Sequence, residues 1–203
     1  MFTISRIKLA VITGTAAVAL IAAGCSSDDS STTGSSMPGM EHGTSAQPAT
    51  RTDFNAADIT FLQMMYPHHA QAVEMAKLVP SRSQNPQLRT LAQNVEQAQT
   101  PEMRQITSLL QAFGKDAPGA TMGHEGMAGM MSADQMSALA KLSGPEFDRQ
   151  WMRMMIEHHR GAIDMANTEL SGGANADAKA MAQAIVTGQQ AEITEMNTML
   201  GQS

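Results

Sequence analysis

A single cysteine in 203 residues, Cys25, rules out an intramolecular disulfide and a thiolate metal cluster. Aromatic residues are only 3% of the chain, with one Trp and one Tyr, so a core here cannot rest on ring packing. No stretch alternates apolar and polar residues for long enough to make a strand, which excludes a sheet-based fold. Positive charge is scarce too. Thirteen Lys and Arg against 19 Asp and Glu leave a net charge of −6, which argues against nucleic acid or an anionic lipid surface as the main partner. The longest apolar run, Leu9 to Ala23, is about 15 residues, short of the roughly 20 that a membrane-spanning helix needs.

That run follows Arg6 and Lys8 and precedes Gly24-Cys25, the pattern of a secretory signal of the lipoprotein kind. Residues 1–24 then form the signal peptide and Cys25 becomes a lipid-acylated N-terminus. Removal of the signal takes away Arg6 and Lys8 and no acidic residue, moving the net charge from −6 to −8. Residues 25–52 are rich in Ser, Thr, Gly and Pro without apolar periodicity. They read as a flexible tether for a domain over 53–203. The expected location is outside the cytoplasm, anchored to the outer face of the cell membrane or periplasmic.

What the chain has in abundance is methionine, 19 of 203 residues. Methionine fills cores in place of aromatics and is also a soft metal ligand. Its placement is ordered by an internal repeat. Met64-Met65-Tyr66-Pro67-His68-His69 recurs ninety residues later as Met154-Met155-Ile156-Glu157-His158-His159. The same offset pairs Asp58 with Asp148, Phe61 with Trp151, Ala72 with Ala162 and Met75-Ala76 with Met165-Ala166. It continues through Gln99 and Gln189, Glu102 and Glu192, and Leu110 and Leu200, so the unit is about sixty residues long.

Apolar residues at three- and four-residue steps predict a first helix from about Asp53 or Asn55 to Val79, ended by Pro80, and a second over about 87–113, ended by Gly114. A short helical piece over 132–142 precedes a third helix from Pro145 to about Leu170 and a fourth from about Asp177 to Leu200. Two helical hairpins related by a repeat cannot each bury an apolar stripe alone. Packed together they give an all-α, antiparallel four-helix bundle, with repeat one at 53–114, a Met/His-rich loop at 115–131 and repeat two at 143–203.

On the first helix Met64, Met65, His68, Ala72 and Met75 share one face, with His69 at its edge; Met154, Met155, His158, His159, Ala162 and Met165 repeat the arrangement. A Met-rich core with His at its margin explains one such helix. The recurrence of both pairs and the following Met points instead to a metal site. A carboxylate-bridged di-iron bundle would carry Glu three residues before each His, where this chain has Met65 and Met155. Hard cations prefer oxygen, whereas thioether with imidazole suits Cu(I), with Ag(I) or Cu(II) as alternatives. Two further clusters have the same chemistry: Met37, Met40 and His42 in the tether, and Met122, His124, Met127, Met130 and Met131 in the loop.

The segments Asp58-(x)5-Met64-Met65-(x)2-His68-His69-(x)2-Ala72-(x)2-Met75-Ala76 and Asp148-(x)5-Met154-Met155-(x)2-His158-His159-(x)2-Ala162-(x)2-Met165-Ala166 resemble the twin signature of the bacterial family called domain of unknown function 305. The resemblance covers about 53–203. It implies a ferritin-like four-helix bundle, export from the cytoplasm and, for some members, copper binding linked to copper tolerance.

The expected function is that of a lipid-anchored extracytoplasmic protein that holds or passes on copper ions without catalytic turnover. No protein partner is indicated. One rival is a ferritin-like metal oxidase using His with Glu74, Glu102, Asp164 or Glu192. Another is a metal-free interaction module at the cell surface, in which the methionines are core.

Overall fold

In a computed structural model the described residues are 51–119 and 127–201. They form α1 (Ala56–Arg82), α2 (Pro86–Ala112), α3 (Ala133–Leu139), α4 (Gly144–Gly172) and α5 (Ala176–Met199), with no strand among them. The four long helices form the all-α bundle of two hairpins expected from the repeat, in keeping with the ferritin-like bundle that the family resemblance implied.

The helix starts follow from local chemistry. Asn55 accepts from the N–H groups of Ala57 and Asp58, and the Asp58 carboxylate accepts from the Asn55 N–H at 2.6 Å, a complete capping box. Asn85 caps α2 ahead of Pro86, and its repeat partner Asn175 caps α5. Helix α1 departs from expectation by running past Pro80 to Arg82. Pro80 is exposed, so the Ala76 carbonyl that it leaves without a helical partner can turn toward water.

Helix α1 packs on α2, α4 on α5, and α1 on α4, while α2 and α5 touch sparingly. The core is divided. One cluster joins the C-terminal half of α1, the N-terminal half of α2, the first half of α4 and the end of α5, around Val79, Leu88, Leu91, Trp151 and Met196. The other joins the opposite halves, around Phe61, Leu62, Ile106, Leu110 and Ile185. The repeat exchanges the two clusters, as a two-fold relation between hairpins requires. Between them lie polar residues from all four long helices: His68, His69, Gln99, His158, His159 and Gln189, each at most 4% exposed.

Candidate metal centre

Four imidazoles fill the middle of the bundle. His68 and His69 come from α1, His158 and His159 from α4, and all four are fully buried. Ala72 and Ala162, one turn further along each helix, are also fully buried and keep the helices close enough for the rings to meet. The His68 and His158 rings lie 3.8 Å apart between centroids at 40°. His69 and His159 turn the other way, toward α2 and α5. His69 Nε2 is 2.7 Å from Glu102 Oε2, and His159 Nε2 is 2.6 Å from Glu192 Oε2. These two carboxylates are 24% and 18% exposed and bring the layer to the sparsely packed α2/α5 side.

Six of the eight ring nitrogens have no hydrogen-bond partner within the protein: both of His68, both of His158, and Nδ1 of His69 and of His159. Gln99 Oε1 and both polar atoms of Gln189, one turn from the glutamates, are unpaired as well. A buried polar atom without a partner costs about 1–3 kcal/mol. Left without water or metal, six such nitrogens would cost on the order of a whole domain's stability, which marks the layer as a place for a ligand. Burial pushes the His68 imidazole down to about 3, reinforced by the neighbouring His69 and His159; the smallest contribution, from the nearby Ala128 backbone, opposes. Burial likewise holds His158 well below the usual histidine range, with His68 and His159 next in effect. Both rings are neutral at physiological pH, the form that presents a lone pair to a metal. Among the described residues no three His, Cys, Asp or Glu side chains are placed to share one ion. The layer therefore offers donors without a finished three-ligand site of the tetrahedral zinc kind.

The methionines separate by place. Met65, Met75 and Met155 are fully buried and Met154 is 5% exposed, all within the two apolar clusters. Met64 and Met165 are half-buried and line a cavity of about 330 Å³ between α1 and α4, together with Phe61, Thr168 and Glu169. Met127 and Met130 are half-buried, and Met131 is buried, on the segment that leads to α3. Met37, Met40, His42, Met122, His124 and Cys25 lie outside the described residues.

Two further features escape a reading by periodicity. Glu102 and Glu192 are hydrogen-bond partners of histidines, and the shared separation of 33 residues in the two repeats was the available signal. Glu169 sits buried beside Asp58. Burial and the adjacent Asp58 push its carboxyl up to about 7. Asp58 stays below the usual carboxylate range. Burial opposes this, but the backbone N–H groups of Asn55, Asn175 and Ala174 and the Glu169 side chain outweigh it. Asp58 thereby ties the start of α1 to the α4–α5 turn, with Asn175 N–H donating at 2.8 Å.

The chain matches the family described as Domain of unknown function (DUF305) over residues 58–200. It resembles the solved structure of a DUF305 fragment from Deinococcus radiodurans with 34% identity and a TM-score of 0.67, covering 73% of this chain and 98% of that one. A Streptomyces coelicolor DUF305 protein described as secreted is 30% identical with a TM-score of 0.66, over 71% and 92%. CopM in its Cu(II)-bound form is 32% identical with a TM-score of 0.62, over 70% and 94%. CopM is also known in Cu(I)-bound and Ag-bound forms. No curated protein sequence matches the chain.

Proposed function

We propose that this chain, which belongs to the DUF305 family, is an exported copper-binding protein that sequesters or passes on copper through its histidine layer, without turnover. The observation that carries the reading is the set of six unpaired ring nitrogens on four fully buried imidazoles. A stability-driven core would have replaced them with apolar side chains, as the clusters above and below do. His68 and His158 would supply imidazole donors to Cu(I), Cu(II) or Ag(I), and the hydrogen bonds that His69 and His159 donate from Nε2 to Glu102 and Glu192 would hold those two rings in one orientation. Copper and silver forms of CopM, on a similar fold at about 30% identity, support this choice of ion.

Thioethers extend the reading. Met64 and Met165 share one cavity, and Met127 and Met130 lie on the segment beside the layer; both sets suit capture of a soft ion before it reaches the imidazoles. Met37, Met40, His42, Met122 and His124 would add captures of the same kind, and a lipid on Cys25 would keep the domain at the membrane. Of the carboxylates that an oxidase would recruit, each contacts one histidine or none and so does not bridge the two repeats at a shared ion, which favours holding over turnover. Glu102 and Glu192 are engaged with histidines, and Glu74 and Asp164 are exposed.

The test is a Cu(I) and Ag(I) titration of the domain against the quadruple variant His68→Ala, His69→Ala, His158→Ala, His159→Ala. Binding should be strongly weakened in the variant. Unchanged affinity would remove the histidine layer from the function and leave only the methionine clusters.

A further inference from the structure

The two repeats differ at one position beside the histidines, and the chain's own Met-bearing connection lands there. Gln71 of α1 and Gly161 of α4 are equivalent at the ninety-residue offset, each three residues beyond the first histidine of its pair. Gln71 acts as a clamp. Its Nε2 donates to the Met131 carbonyl at 2.8 Å and its Oε1 accepts from the Met131 N–H at 2.7 Å. Gly161 acts as a seat. A Cβ there would run into the Ala128 carbonyl and come within 2.9 Å of Gly129 Cα.

Gly129 reciprocates. Its φ of +80° is left-handed, and a Cβ on it would lie 2.7 Å from the Glu157 carbonyl oxygen and 2.9 Å from that of His158. The segment Ala128–Met131 thus crosses from α4 to α1 over the turns that carry His158 and His68, with the imidazoles fully buried beneath. A repeated position that is glycine in one copy and a bidentate side chain in the other is suited to holding the two ends of one strap.

We propose that Gln71 and Gly161 are positioning residues that hold Ala128–Met131 closed over His68 and His158, so that metal ions exchange with the histidine layer when this strap lifts. The proposal rests on the reading of the histidines as ligands. In this proposal the strap is closed before uptake and closes again over the bound ion, so the free energy of lifting it enters both uptake and release and cancels in the affinity. The half-buried thioethers of Met127 and Met130 stand where an ion passing under the strap would meet a first soft donor. The other way in, past the part-exposed Glu102 and Glu192, would make exchange indifferent to the strap.

The experiment compares the wild-type chain with Gln71→Leu and Gly161→Ala, which act on opposite ends of the strap. Cu(I) transfer from and to a chromophoric chelator gives uptake and release rates, and equilibrium competition gives affinity. Loss of the two hydrogen bonds at Gln71 should speed both rates by roughly tenfold or more with affinity nearly unchanged. Gln71→Glu, which keeps the acceptor for the Met131 N–H and loses the donor, should fall between. Wild-type rates in both variants, with helical content intact, overturn the proposal, and so does a rate change matched by a loss of affinity.

A second readout needs no metal: acylation of His68 and His158 by diethylpyrocarbonate in the metal-free chain, followed by peptide mass spectrometry. It should be faster in both variants. A wild-type chain that takes up no Cu(I) would remove the functional reading, and the acylation rates would then decide the clamp alone, faster supporting it and unchanged overturning it.

Discussion

Replacing His68 and His158 together by Leu should make the metal-free protein more stable. The two rings meet in the core, tilted at 40° with centroids 3.8 Å apart, and none of their four nitrogens has a hydrogen-bond partner within the protein. At about 1–3 kcal/mol for each such atom, the pair costs roughly 4–12 kcal/mol relative to an apolar pair of the same shape. Two terms work against the gain. The branched Leu side chains must fit a space shaped by flat rings, a misfit of about 1–3 kcal/mol, and the ring contact, about 1 kcal/mol, is lost. With a cost of about 5–7 kcal/mol, in the lower half of that range, and about 3 kcal/mol for the two opposing terms together, the net gain is about 2–4 kcal/mol. For a domain of this size that raises the unfolding midpoint by roughly 5–15 °C. The assay is thermal and urea unfolding followed by helical circular dichroism, with a chelator present, then repeated with Ag(I). The variant should melt higher without metal and gain less from silver than the wild type does. A midpoint at or below the wild-type value would refute the reasoning, because the unpaired nitrogens would then not be the cost assigned to them.

Three other outcomes follow from the same geometry. Glu169 has a folded-state value of about 7, above its ordinary 4.5, so its contribution is fully present below about pH 4.5 and is lost as the pH rises through about 7. Stability of the wild type relative to Glu169→Gln should therefore decline by up to about 3 kcal/mol between pH 5 and 8, measured by urea unfolding across that range. Glu192→Ala should free the His159 ring from its orienting partner and weaken Cu(I) affinity by about 10–100-fold, whereas Glu192→Gln, which can still hydrogen-bond, should lose less. Asn175→Ala should cost about 1 kcal/mol or more of unfolding free energy, since it removes the α5 cap and the hydrogen bonds to Asp53.

Much of the fold was legible because its determinants are local. Asn85 before Pro86 starts α2, and Gly114 with φ of +68° follows its end; both are readable from residue type alone. The bundle followed from the repeat. Helix α1 passing Pro80 was not legible, because whether a lost hydrogen bond is tolerated depends on which side of the helix meets water. The offset also reaches further back than the helices. Met37, Gly39 and Met40 fall on Met127, Gly129 and Met130, so the strap sequence belongs to the duplicated unit.

The candidate site was legible in its residue types and opaque in its partners. Helical period put His68 with Met64, Met65 and Met75 on one face of α1, but period says nothing about the neighbour that fills that face. The crossing of α1 on α4 decided that His68 meets His158, that Met65 and Met75 join separate apolar clusters, and that Met64 instead opens onto a cavity beside Met165. Likewise, the match of Gln71 with Gly161 is visible in the chain only as a disagreement between the copies, and becomes a clamp and a seat once one segment bridges both helices. The sequence by itself determined the helices, their duplication and the imidazole and thioether chemistry, because these depend on residue type and spacing along one helix. Only the tertiary structure decided which ring nitrogens are left without partners, because satisfaction of a buried polar atom depends on what lies across the interface.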